Sequence, residues 1–126
     1  MTQEEKDILL KDLCARLPYG IICEDGYGNV LELNGIDKPN TATFKCSDKT
    51  FWTTDLDKCK PYLFPLSSMT EEQTEELIKL INTGQNDNNE FMRSLCRIEF
   101  YHKNHFDYRG LIEKGLANDA TGLNIY

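Results

Sequence analysis

Two histidines and an aspartate stand close together late in the sequence. His102 and His105 are the chain's two histidines, and Asp107 follows two residues later. Imidazole nitrogens and carboxylate oxygens bind zinc, so the H-x-x-H spacing makes His102 and His105 candidate metal ligands. The sequence offers no second ligand pair to complete a tetrahedral site, and we therefore expect hydrogen-bonded or solvated histidines with no cofactor. A small metal-dependent hydrolase that uses His102, His105 and Asp107 is the alternative interpretation.

The densest group of functional side chains overlaps these residues and consists of Asp107, Tyr108, Arg109 and Glu113. An arginine can grip a carboxylate or a phosphate with its planar guanidinium, which makes this group a candidate binding site. The same residues also have a structural interpretation, in which Asp107 caps a short helix and Phe106 and Leu111 form a hydrophobic staple. Arg109 and Glu113 would then be a surface pair four residues apart. We favour this structural interpretation.

Glycines at two places need a physical reason. Gly26 and Gly28 flank Tyr27 in a pattern that superficially resembles a phosphate-binding loop, but a strand pattern follows instead of a helix, which predicts a hairpin turn. Gly110 lies inside the short predicted helix that ends at Gly115, where glycine costs about 1 kcal/mol relative to alanine. We expect close approach of another backbone or of a partner at Gly110.

Aromatic side chains gather around a segment bracketed by prolines. Trp52 precedes this segment, and Tyr62 and Phe64 lie between Pro61 and Pro65. Amphipathic aromatic residues are enriched at interfaces, so Trp52 and Tyr62 are candidate binding residues. Packing of these aromatic side chains in the core is the interpretation that we favour.

The charge of the chain argues against direct nucleic-acid binding. The 126 residues include 14 Lys and Arg against 21 Asp and Glu, a formal net charge of −7. Nucleic-acid binding needs clustered basic residues. The densest basic stretch of this chain, over residues 93–109, is interrupted by Glu99 and Asp107. The sequence shows neither a basic start followed by an apolar run nor a stretch of about 20 apolar residues, so we expect a cytoplasmic protein without membrane contact.

Five cysteines are spaced without any C-x-x-C pair, at Cys14, Cys23, Cys46, Cys59 and Cys96. An odd number of cysteines at wide spacing argues against a disulfide framework. Each one has apolar neighbours, and we expect reduced thiols buried as small hydrophobic groups.

Besides the short helix after Asp107, three helices are predicted. The first begins after a capping box of Thr2 and Glu5 and stops at Leu17, before Pro18. The second begins at a capping box of Ser68 and Glu71 and has a buried stripe of Leu77, Ile78, Leu80 and Ile81. It closes at Thr83 and Gly84, and residues 85–89 would form a mobile loop. The third runs from Glu90 to His102 with Phe91, Leu95 and Ile98 on one face, although residues 96–102 also fit an extended segment.

Strands are predicted between the first two helices, over residues 19–24, 30–33, 41–46 and 50–54. Asn34 and Gly35 favour a tight turn, and Pro61 and Pro65 restrict residues 62–64 to an edge strand or a connection. The sequence therefore predicts one α+β domain over residues 1–117: an N-terminal helix, an antiparallel meander of four to five strands, then two to three helices on the sheet. Residues 118–126 have no periodicity and are predicted to be a flexible tail.

Three stretches of the chain carry a family resemblance: KDLCARLPYG from Lys11, KPYLFPLSSMTEE from Lys60 and HFDYRGLIEKGLA from His105. Together they resemble an uncharacterised family of small cytosolic proteins encoded by gut Bacteroides-group bacteria and, often, by their phages and prophages. Members commonly have Arg where this chain has Phe64. The resemblance implies a genomic setting, and it brings no activity, cofactor or catalytic residue with it.

These observations favour a non-enzymatic accessory protein that acts in a phage or prophage setting by binding another protein. The absence of a recognisable catalytic set in the sequence and the acidic charge both support this hypothesis. Its candidate binding residues are Asp107, Tyr108, Arg109, Glu113, Trp52 and Tyr62. The metal-dependent hydrolase is the competing hypothesis.

Overall fold

The first helix, α1, spans Gln3–Arg16 and is capped as its sequence predicts. The Thr2 hydroxyl accepts the Glu5 N–H, and the Glu5 carboxylate accepts the Thr2 N–H. A 3₁₀ turn over Leu17–Tyr19 follows, and Gly20 ends it with a φ of 74°, a left-handed conformation that glycine adopts without strain. The computed structural model describes residues 1–37, 40–46, 48–82 and 90–126.

Within the described residues, seven strands form one mixed sheet. Their bounds are β1 Ile22–Glu24, β2 Val30–Asp37, β3 Thr41–Lys45, β4 Phe51–Asp55, β5 Lys60–Pro65, β6 Phe106–Asp107 and β7 Asn118–Asp119. The order across the sheet is β4-β3-β2-β1-β5-β6, and β7 also pairs with β5. Strands β1 to β4 form the predicted antiparallel meander, whereas β6 and β7 run parallel to β5. The α+β fold class is confirmed.

Two strand predictions are wrong. Asn34 and Gly35 lie inside β2, where the register with β3 shifts between Leu33 and Gly35, so the expected turn is an irregularity within a longer strand. Strand β5 is interior despite its two prolines, because neighbouring non-proline residues carry hydrogen bonds of the strand. The Phe64 N–H donates to the His105 carbonyl, and the Leu63 carbonyl accepts the Ala120 N–H.

The other two helices are α2, Glu71–Asn82, and α3, Glu90–Lys103. Thr70 and Gln73 form the reciprocal cap of α2, so the predicted cap of Ser68 and Glu71 is wrong. The Ser68 hydroxyl instead donates to the Pro65 carbonyl. Helix α3 is helical through residues 96–102, which excludes the extended alternative. The predicted end of α2 at residues 83–84 and the loop at 85–89 fall outside the described residues.

The predicted short helix after Asp107 does not form. Residues 111–115 are turns, because Gly110 has a φ of 73° and interrupts helical geometry. A Cβ at Gly110 would meet nothing within 4 Å, so the left-handed backbone, and not close approach, explains this glycine. Asp107 still accepts backbone N–H groups, with one oxygen bonded to Leu111 and the other to Ile112, each at 2.9 Å.

The main hydrophobic core lies between α1 and the sheet, and its fully buried members include Leu9, Leu13, Ile21, Cys23, Phe44, Leu63 and Leu111. A second cluster joins α2 and α3 to β6 through Leu77, Phe100 and Phe106. All five cysteines are free thiols. Cys23 and Cys59 are buried as predicted, whereas Cys14 is exposed, because α1 buries only one face.

The last nine residues return to the sheet. Asn118 and Asp119 pair with β5, and the hydroxyl of Tyr126 accepts the Ile22 N–H at 2.9 Å and donates to the Tyr62 carbonyl at 2.8 Å. Through these contacts, the segment predicted to be a flexible tail lies against β5 and β1. Among the described residues, no helix has the length and apolar character that crossing a membrane requires.

Candidate functional site

A buried ion network lies where α1 meets β6. Asp12 and Arg16 are one helical turn apart, and both side chains are fully buried. The Arg16 Nε donates to Asp12 Oδ2 at 2.8 Å, and Arg16 Nη2 donates to the Phe106 carbonyl at 2.6 Å. The other oxygen of Asp12 accepts Arg109 Nε at 3.1 Å. One carboxylate therefore holds two guanidinium groups and ties α1 to a segment about 90 residues away.

Sequence reasoning missed Asp12 and Arg16 as members of this site. Their signal is positional, since Leu9, Asp12, Leu13 and Arg16 are the four buried residues of α1 and follow the i, i+3, i+4, i+7 spacing of one helical face. Two oppositely charged residues on a core-facing stripe indicate a buried pair, because an isolated buried charge is strongly disfavoured. A third partner, Arg109, belongs to a segment that no local pattern places beside α1.

The aromatic ring of Tyr108 lies against both arginines. The guanidinium carbons of Arg16 and Arg109 are 5.5 Å and 5.0 Å from the ring centroid, within the range of cation–π attraction. The Tyr108 hydroxyl is 2.7 Å from His102 Nε2. Burial, and then the charge of Arg16, lower the pKa of His102, so this ring stays neutral at pH 7. The contact between Tyr108 and His102 thus extends the network from α1 to α3.

His105 and Asp107 interact with groups outside this network. The His105 ring stacks on Tyr126 with centroids 3.7 Å apart, and its buried Nδ1 has no hydrogen-bond partner. Burial, with Arg16, lowers the pKa of His105 to about 4. Both oxygens of Asp107 are occupied by backbone N–H groups. No group of three or more His, Cys, Asp and Glu side chains within residues 1–37, 40–46, 48–82 and 90–126 is placed to hold a metal ion.

Three of the four residues in the predicted Asp107–Glu113 group line one surface cavity. Its volume is about 520 Å³, and its lining includes Asp107, Tyr108, Gly110, Ile112 and Glu113. Arg109 instead reaches back to Asp12, so the expected surface pair with Glu113 is replaced by a half-buried ion pair. The cavity can offer a partner an aromatic side chain and a carboxylate. It does not offer the guanidinium of Arg109, which the sequence indicated as a binding group.

Trp52 and Tyr62 lie apart from that cavity. Trp52, on β4, is 41% exposed, so its expected packing in the core is wrong; its strand is at the end of the sheet order. The Trp52 ring meets Tyr27 edge to face, with centroids 6.0 Å apart. Tyr62 is half-buried on β5, where burial and the nearby Glu24 raise the pKa of its phenol. The six predicted binding residues therefore do not form one site.

Six large apolar side chains are exposed on α2 and α3. We call this set the hairpin face, and it consists of Ile78, Leu80, Phe91, Met92, Leu95 and Ile98. Each of these side chains is between 36% and 68% exposed. Leu77 packs with Phe100, and Leu80 and Cys96 line one small cavity, so the two helices run in opposite directions side by side.

The predicted apolar stripes of these helices exist but are largely turned outward. On α3, Phe91, Leu95 and Ile98 share a face as expected, yet all three are exposed, and the inward face is completed by Phe100. On α2, Leu77 is buried, whereas Ile78 and Leu80 are exposed, so the predicted four-residue buried stripe is wrong. The reason is geometric: the helix pair meets the rest of the protein mainly through the cluster around Phe106.

No family model, curated protein or solved structure matches this chain.

Proposed function

We propose that this chain is an accessory protein that acts by binding another protein through the hairpin face. The observation that carries the proposal is the exposure of six large apolar side chains on two neighbouring helices. Phe91, Leu95 and Ile98 have the spacing of one helical face, and exposed apolar groups that share a face of a folded protein mark a site of interaction more often than an accident of packing. Covering such a patch removes apolar area from water, which stabilises a complex by about 25 cal/mol per Å².

The charge beside the hairpin face indicates the chemistry of the partner. The first half of α2 carries four exposed glutamates, Glu71, Glu72, Glu75 and Glu76. A partner surface with an apolar centre and basic residues at its rim complements this arrangement, because opposite potentials steer association and oppose wrong partners. The formal net charge of −7 also attracts a basic partner, and it does so over a longer range.

The resemblance of three stretches to small proteins of Bacteroides-group bacteria and their phages supports a biological setting for this binding. We propose that the partner is a bacterial or phage protein in the cytoplasm and that binding requires no chemistry by this chain. The neutral histidines and the hydrogen-bonded Asp107 fit structural roles.

The proposal is tested by placing a photocrosslinking amino acid at position 98 and, as a control, at position 30. Ile98 belongs to the hairpin face, whereas Val30 lies on β2 and is also exposed, at 47% against 36%. Crosslinking in phage-infected host cells is expected to trap one protein from position 98 and not from position 30. Equal trapping from both positions would show non-specific contact.

The trapped protein, once purified, is then titrated against two variants of this chain. Ile78→Asp with Ile98→Asp places charge in the hairpin face and is expected to weaken binding by more than about tenfold, while Val30→Asp leaves it unchanged. Circular dichroism checks that each variant retains its helices. A partner whose affinity ignores Ile78 and Ile98 would refute the hairpin face as the binding surface.

A further inference from the structure

A buried aspartate organises the turn between β1 and β2. Asp25 is fully buried, and one of its carboxylate oxygens accepts the Tyr27 N–H at 2.8 Å and the Asn29 N–H at 3.1 Å. Its other oxygen accepts Asn29 Nδ2 at 2.7 Å. Burial opposes ionisation of Asp25, but the hydrogen bonds outweigh it and hold its pKa below the usual value. The carboxylate therefore anchors the turn.

The turn is packed closely against the chain near Lys58. A Cβ at Gly26 would lie 2.9 Å from both the Cβ and the carbonyl oxygen of Lys58, so only glycine permits this approach. The Lys58 amine donates to the Tyr27 hydroxyl at 3.1 Å and lies 5.4 Å from the centre of the Tyr27 ring. Tyr27 and Trp52 are held edge to face, with an interplanar angle of 84°. The two exposed aromatic rings thus contact each other, and Tyr27 is also held by Lys58.

A cleft of about 300 Å³ opens beside these rings. Its lining combines the two aromatic side chains with hydroxyl, carboxylate and ammonium groups, from Tyr27, Thr41, Trp52, Thr53, Thr54, Asp55 and Lys58. The Thr54 hydroxyl is engaged, since it donates to the Asp25 carbonyl at 3.3 Å. The lining is mainly polar, with the two aromatic side chains as its apolar part, and this composition suits a ligand that is rich in hydroxyl groups.

We propose that this cleft binds a neutral saccharide. A pyranose ring has an apolar C–H face, which packs on an exposed aromatic ring, and a rim of hydroxyl groups, which donate to carboxylates and accept from ammonium groups. The cleft supplies the aromatic face through Tyr27 and Trp52, and the acceptor and donor through Asp55 and Lys58. Rings that are fixed before binding reduce the conformational entropy lost on association.

The charges that line the cleft do not favour anionic ligands. Among the described residues of its lining, Asp55 and Lys58 are one anion and one cation. The pKa of Lys58 is raised by its hydrogen bond to Tyr27 and further by Asp55 and Asp57. A nucleic-acid base could stack on the same rings, but this lining has no excess of positive charge to hold its phosphates. A neutral sugar does not need such an excess.

Trp52 makes the test direct, because it is the chain's single tryptophan and lies in the cleft. Its fluorescence is recorded during titration of the intact protein with cellotetraose, chitotetraose and maltotetraose, and with sorbitol as a polyol that has no ring face. At least one of the three oligosaccharides is expected to give a saturable change that sorbitol does not give. No saturable change with any of the three, or an equal response to sorbitol, would overturn the proposal.

Two matched variants locate the binding. Tyr27 and Phe51 are both 61% exposed, and Phe51 does not line the cleft. Tyr27→Ala is expected to weaken saccharide binding by about tenfold or more, and Phe51→Ala to leave it unchanged. Equal affinity in the two variants would overturn the assignment to this cleft. A saturable response to single-stranded oligothymidylate, with none to the saccharides, would overturn it in favour of nucleobase binding.

Discussion

Two regions of this protein reverse the usual distribution of polar and apolar groups. The network around Asp12 places two fully buried charged side chains between α1 and β6. The hairpin face places six large apolar side chains in solvent. The first arrangement is tolerated because hydrogen bonds and opposite charges replace water around Asp12. The second leaves those side chains partly in water, so they do not contribute the full stabilisation that burial provides.

The buried charges have a structural role, and the exposed apolar groups are the binding surface that we propose. Arg109 and Tyr108, which look like binding residues in the sequence, contribute mainly to the interior through Asp12 and Arg16. The apolar stripe of α3, which looks like core, is exposed. Burial, more than residue type, therefore assigns each region its role, and three measurements can break or sharpen this contrast.

The largest effect is expected from Asp12→Ala. This change leaves the buried Arg16 guanidinium without its carboxylate, and removing one partner of a buried pair typically costs about 3–5 kcal/mol. The free energy of unfolding, measured by urea denaturation at pH 7, should fall by that amount. The double variant Asp12→Ala with Arg16→Met removes both charges and should recover much of the loss. A cost below about 1 kcal/mol for Asp12→Ala would show that the network is solvated.

A matched pair of leucine substitutions tests the apolar half of the contrast. Leu63 is fully buried in β5, and Leu63→Ala is expected to cost about 2–5 kcal/mol through lost burial and a cavity. Leu95, at 38% exposure on the hairpin face, should change stability by only about 0.5 kcal/mol when replaced by alanine. Thermal and urea unfolding of both variants measure the difference. Similar losses at the two positions would mean that Leu95 is core and that the hairpin face is not free for a partner.

The pH dependence of the free energy of unfolding tests whether His105, beside the network, is neutral in the folded protein. Burial and Arg16 lower the pKa of His105 from its ordinary 6.5 to about 4 in the folded protein. Between these values the unfolded chain binds more protons than the folded one, so stability falls as the pH falls. The contribution of His105 is complete above about pH 6.5, and roughly 1–3 kcal/mol of it should be lost toward pH 4.

The control for this measurement is His105→Asn. His105 has a φ of 61°, a left-handed conformation that asparagine tolerates better than most residues, and asparagine does not titrate. The free energy of unfolding from pH 7 to pH 5 should therefore fall less steeply in the variant than in the natural chain. Identical slopes would contradict a depressed pKa at His105.

Local features were predictable where their causes lie within a few residues. The cap of α1 by Thr2 and Glu5 joins positions three apart, and the hairpin of β3 and β4 joins neighbouring segments. The cap of α2 was misplaced by two residues because Ser68 and Thr70 are both suitable capping types, and the bond from Ser68 to the Pro65 carbonyl decides between them. The helix after Asp107 failed because of one left-handed glycine, Gly110.

By itself, the sequence determined the α+β class, the bounds of α1 and the presence of an amphipathic α3, because periodicity and capping depend on residues within about four positions. Only the tertiary structure decided that β5 is interior, that the stripe of α3 faces outward and that Arg109 pairs with Asp12. Those outcomes depend on contacts across long separations, such as the 97 positions between Asp12 and Arg109. A local pattern shows that a helix has two faces, and the rest of the fold determines which of them meets water.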